Sequence, residues 1–196
     1  MGSKNRTRGG YPFALLFGLV SAVAAPSGAR AAESAPEETP FRVKGLHGDA
    51  AWAVKRVLTA ADALLAEPTC QQVLADFHDA SGRTLKDVLE EYDVSARTYL
   101  RWISFSDGRD TKACRTTATL AATERSSRVV FICPMAFVEA TMARPEEAQA
   151  TLIHEMLHSL GLGENPPSSR EITARVRSRC TPTTARSSAG EPRPKP

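Results

Sequence analysis

The chain has 196 residues, 42% of them hydrophobic and 24% charged. That length suits one domain with its own core, and the composition excludes a largely disordered chain. Its formal charge of +3 arises from 25 basic and 22 acidic side chains, with no basic block interleaved with aromatics, so a nucleic-acid partner is not expected.

Residues 1–31 have the layout of a secretory signal peptide. Lys4, Arg6 and Arg8 precede an apolar run from Tyr11 to Val23, and Ala29-Arg30-Ala31 supplies a small-residue cleavage site. The run is too short to span a bilayer comfortably, so the mature chain is expected to have no membrane span. Removal of this segment takes Lys4, Arg6, Arg8 and Arg30 with it, leaving 21 basic and 22 acidic residues and a net charge of −1. A secreted or periplasmic protein is expected, and a monomeric one.

Cysteine usage agrees with export. Cys70, Cys114, Cys133 and Cys180 all follow the signal, and no C-x-x-C occurs. Of the possible pairings, Cys114–Cys133 would close a local β segment. Cys70–Cys180 would tie the C-terminal helix to the N-terminal ones.

Residues 32–48 read as a linker, Pro- and Glu-rich at Glu33 to Pro40, and residues 49–180 as a single domain. Asp49 to Glu67 repeats apolar side chains at Trp52, Ala53, Val57, Ala60, Ala61, Leu64 and Leu65, close to a helical period. Pro68 breaks that helix and opens another, with Val73, Leu74 and Phe77 inward, ending at Ser81-Gly82. Thr84 to Tyr92 forms a third helix through Leu85, Val88 and Leu89. Three strands are then expected. Tyr99 to Phe105 is aromatic and β-branched, Arg115 to Thr123 is threonine-rich, and Arg128 to Cys133 is an apolar run closed by Pro134. They are expected to pair as a small, mostly antiparallel sheet in an α+β fold. Residues 181–196, rich in Pro, Ser, Thr and Arg, are expected to be a disordered tail.

The chemistry concentrates in the next helix. Pro145-Glu146-Glu147 starts it, with proline at the first position and acids in the first turn, and Gly161 stops it. At about 100° per residue, His158 falls about 40° from His154, and Glu155 about 100°. Ala148, Leu152, Ile153, Met156, Leu157 and Leu160 take most of the remaining circumference. A helix apolar over so much of its surface is buried, with its narrow polar stripe facing a cleft.

Histidines four residues apart share one face, so His154 and His158 can bind one metal ion. Glu155 points to the side where an activated water would lie and can accept its proton. Metal, water and base are the minimum set for hydrolysing a peptide bond. His47 and His78 have no comparable spacing.

"HEMLHSLGLGE", residues 154–164, resembles the active-site segment H-E-x-x-H-x-x-G-x-x-H/D of the metzincins, within the zincin metalloproteases. The resemblance covers about a dozen residues. It implies a zincin-like fold with N-terminal helices, a small sheet, an active-site helix and a C-terminal helix. It further implies Zn2+ as cofactor, His154 and His158 as ligands, Glu155 as general base, and Glu164 in the third-ligand position. Glutamate departs from the usual His or Asp there, and no methionine follows Met156 to make the metzincin methionine turn. The gluzincins take a third ligand from a second helix, and "EITA", residues 171–174, fits that pattern through Glu171. Yet Ser168-Ser169-Arg170-Glu171 is also a capping box, so Glu164 is preferred.

The function expected is a secreted zinc-dependent metalloendopeptidase acting on a protein or peptide substrate. Arg128 to Cys133 is the expected edge strand for substrate, and Tyr99 and Arg101 are candidates for stabilising the oxyanion. The alternative is a non-catalytic secreted metal-binding or interaction module that keeps the helix without turnover.

Overall fold

The computed structural model describes residues 39–116 and 118–180. The expected signal peptide and tail lie outside these residues. By internal contacts the chain divides into units 1–37 and 38–196, and the second contains everything described below.

The fold is mixed α and β, with helices packed around a four-stranded sheet. Strand β1 (Arg42–Lys44) precedes the long helix α1 (Gly48–Ala66). Short helices α2 (Pro68–Gln71) and α3 (Val73–Asp76) follow, then α4 (Leu85–Glu91) and α5 (Ala96–Trp102). Strand β2 (Ser104–Asp107) leads through a 3-10 turn at Ala113–Arg115 to β3 (Ala121–Thr123) and β4 (Val129–Ile132). Helices α6 (Pro134–Ala143), α7 (Pro145–Ser159) and α8 (Ser169–Cys180) complete the order.

The sheet is ordered β1-β2-β4-β3. β1 runs parallel to β2 and β2 parallel to β4, while only β3 is antiparallel to its neighbour. The expected mostly antiparallel sheet is therefore corrected to a mostly parallel one. β3 follows β2 in sequence, yet β2 pairs with β4. β3 thus lands outside β4, and β4 is an inner strand.

Other boundaries also differ from expectation. Tyr99 to Trp102 belongs to α5, because Ser95 Oγ accepts the Thr98 backbone N–H at 3.1 Å and caps a helix there. Of Arg115 to Thr123 only the last three residues are strand. β1 lies inside the segment read as linker. The helix begun at Pro68 is split at Gln72 and ends at Asp76, well before Gly82. Pro134 does more than stop β4: it is at the first turn of α6, a helix absent from the sequence reading.

Helix α7 is the centre of the packing, touching α1, α6, α8 and β3. Leu152, Ile153 and Met156 are fully buried with Leu58, Phe105 and Phe137. Two disulfides brace the outer elements, Cys70–Cys180 between α2 and α8, and Cys114–Cys133 between the 3-10 turn and the end of β4. These are the pairs preferred from the sequence, and they suit an oxidising compartment. Among the described residues no helix is long and apolar enough to cross a membrane.

Candidate metal centre

The polar stripe of α7 is buried as a unit. His154, Glu155 and His158 are 5%, 7% and 7% exposed, which places ionisable groups where each requires a partner or a neutral form. The helix ends immediately after them in a complete Schellman motif. The Gly161 N–H bonds His158 O at 2.9 Å and the Leu162 N–H bonds Leu157 O at 3.1 Å. Gly161 has φ +111°, and a Cβ there would sit 3.2 Å from Asp79 Cβ, so both conformation and space call for glycine.

That turn brings the chain back over the histidines. Leu162, buried and bridged to Asp79, presents its carbonyl to His158 Nδ1 at 2.8 Å. A carbonyl only accepts, so His158 carries its proton on Nδ1, and the Nε2 lone pair faces the cleft. His154 Nδ1 lies 2.9 Å from Thr173 Oγ1, which projects from α8. A proton on that Nδ1, donated to the hydroxyl, leaves the second Nε2 lone pair facing the cleft as well.

The two Nε2 atoms are 2.9 Å apart, and Glu164 Oε1 lies 3.7 Å from His154 Nε2 and 3.3 Å from His158 Nε2. Donors bound tetrahedrally at about 2.0–2.1 Å from zinc lie about 3.3 Å from each other. The three observed separations bracket that value. Two imidazoles and a carboxylate are also a donor set that zinc accepts. The residues present therefore fit the ion.

Electrostatics favours ligand-ready forms. Burial, then the neighbouring His158, pushes the His154 pKa down to about 4, so its imidazole is neutral at pH 7. Burial also pushes the Glu155 carboxyl up to about 8, opposed by a hydrogen bond from the Thr123 backbone and reinforced by Glu164. A divalent cation beside Glu155 would act in the opposite direction and favour the carboxylate.

Glu171 is elsewhere engaged. Its Oε2 accepts the Ser168 N–H at 2.8 Å and the Ser168 hydroxyl at 2.7 Å, while its own N–H reaches Ser168 Oγ at 3.4 Å. The first two of these bonds hold its pKa below the ordinary value. It caps α8 and does not join His154, His158 and Glu164, the one group of potential ligands that converges among the described residues.

The three residues and Glu155 form the floor of a cavity of about 620 Å³, with Thr119, Ala121, Ala122 and Thr123 along one wall. The last three of these are β3, the edge of the sheet, and not the Arg128 to Cys133 strand expected there. Tyr99 and Arg101 are not part of the cavity. The Tyr99 hydroxyl donates to Ser159 O at 2.9 Å and lines a neighbouring cavity, and Arg101 pairs with buried Asp62. Three contributors escaped the sequence reading: Thr173, the Leu162 carbonyl and the Thr123 N–H. None has a local pattern, since each acts across the fold or through backbone.

Comparison with protein-family models, curated proteins and solved structures finds no match to this chain.

Proposed function

We propose that this chain is an exported zinc-dependent metallopeptidase, with His154, His158 and Glu164 holding the ion and Glu155 acting as general base. One observation carries the reading. Three donors converge at tetrahedral spacing on the floor of a cavity, with a buried carboxylate beside them and a sheet edge along its wall. The H-E-x-x-H resemblance to zincins supports it, and two disulfides and the signal-like residues 1–31 support export.

A zinc ion held by these residues would polarise a water molecule and lower its pKa toward about 7. Glu155, hydrogen-bonded by the Thr123 backbone, is the group beside the three donors that would take up a proton from water and release it to a leaving amine. The outer edge of β3 has no further strand on it among the described residues, and an extended peptide can add there through main-chain hydrogen bonds. Thr173 and the Leu162 carbonyl orient the two imidazoles.

The test is zinc content and casein cleavage for wild type, E155Q and a metal-stripped sample. Stoichiometric zinc is expected in wild type and E155Q, with cleavage about 100-fold or more lower in E155Q. Undiminished cleavage by zinc-loaded E155Q would rule out the mechanism. Zinc binding without cleavage by any sample would make the chain a metal-binding module instead.

A further inference from the structure

Next to the floor of the proposed metal centre is a basic wall that the chemistry above leaves unused. Among the described residues, Arg125 is the only lysine or arginine lining the 620 Å³ cavity. It also lines a second cavity of about 400 Å³, together with Arg83, Arg128 and Tyr92. It therefore stands at the junction between the two.

The position of Arg125 is built into the fold. It lies in the turn between β3 and β4, where the next residue, Ser126, donates its N–H to His158 O at 2.9 Å. The turn is thereby hydrogen-bonded to the end of the metal-site helix. The guanidinium lies against Gly163, where an added Cβ would come 3.2 Å from Nη1. Glycine at 163 thus leaves room for this side chain beside the loop bearing Glu164.

The charges on this wall are unequally satisfied. Arg83 is paired with Asp79 at 2.7 Å and with Glu91. Among the described residues, no carboxylate oxygen lies within 4.0 Å of the guanidinium of Arg125 or Arg128. Arg128 lies over the Trp102 ring at 5.7 Å, which orients the group without neutralising it. A peptide laid along β3 would pass Arg125 as it leaves the first cavity. An arginine without a carboxylate partner at that point is suited to a charge-assisted, bidentate contact with a carboxylate.

We infer that Arg125, backed by Arg128, is a specificity-determining residue that selects peptides carrying Asp or Glu at one fixed position flanking the scissile bond. The inference rests on the peptidase reading and deepens it.

The experiment is to digest a denatured protein mixture with the zinc-loaded chain and identify the cleaved bonds by mass spectrometry, for wild type, R125Q and R125E. Acidic residues should be enriched about tenfold at a single position in wild type, near background with R125Q, and displaced by Lys or Arg with R125E. Identical cleavage profiles for wild type and R125Q would overturn the assignment while leaving the peptidase reading intact. Loss of all cleavage by R125Q with zinc retained would also overturn it, because Arg125 would then act at the reacting atoms. No cleavage by zinc-loaded wild type would overturn the peptidase reading itself.

Discussion

Thr173 Oγ1 lies 2.9 Å from His154 Nδ1 and so joins the C-terminal helix to the histidine pair. The hydroxyl fixes the ring's orientation from outside the donor set. T173V, close in shape but unable to bond, is expected to weaken zinc binding about 10–100-fold, while T173S retains it. Competition with a chromophoric chelator measures this directly, and equal affinities for wild type and T173V would remove Thr173 from the site.

Glu164 and Glu171 should separate into metal binding and helix capping. E164A removes one of three converging donors and is expected to lower zinc affinity well beyond the effect of T173V. E171A removes the acceptor of two hydrogen bonds from Ser168, and it is expected to lower folding stability slightly while leaving zinc affinity unchanged. Chelator competition and denaturant melts on both variants give the four values. A reversed pattern would transfer the third-ligand role to Glu171.

The Cys70–Cys180 disulfide closes a separation of 110 residues and holds α8 against α2. Its removal in the C70S/C180S double variant should cost about 2–5 kcal/mol. Because α8 carries Thr173, zinc affinity should fall in the same variant. Saturating zinc should restore part of the lost stability by mass action. Thermal melts with and without zinc test both effects, and a variant with unchanged zinc affinity would show that the histidines do not depend on α8.

Asp76 provides a pH-dependent brace for the same helix. Arg179 Nε donates to Asp76 Oδ2 at 2.8 Å, and this bond is the largest cause holding the Asp76 pKa below its ordinary 3.8. A depressed carboxyl pKa stabilises the fold above the unfolded value, and the contribution is lost as pH falls through the folded one. D76N should therefore be less stable than wild type at pH 7 by about 1 kcal/mol or less, given the partly exposed pair. The difference should close as pH falls below 3.8. A gap independent of pH would mean that the charge of Asp76 contributes nothing.

What was legible in the sequence was local. The α7 boundaries, the shared face of His154 and His158 and the glycine stop all follow from backbone period and the needs of Gly161 within about twenty residues. The capping box at Ser168 is equally local, and it explains Glu171 without a metal. The sheet was not legible in this way. β1 and β3 have three residues each, too short to show alternation, and two of the three strand pairings are parallel and long-range.

By itself, then, the sequence determined a buried helix with two imidazoles and a carboxylate along one stripe, because 3.6-residue periodicity is a property of consecutive residues. Tertiary structure decided which groups meet that stripe. Glu164 is delivered by the Schellman turn, Thr173 by a helix tied through a disulfide, and Thr123 and Arg125 by a sheet edge. Those contacts depend on where separate elements pack, and packing is set by the complementarity of whole surfaces, which no short run of residues encodes.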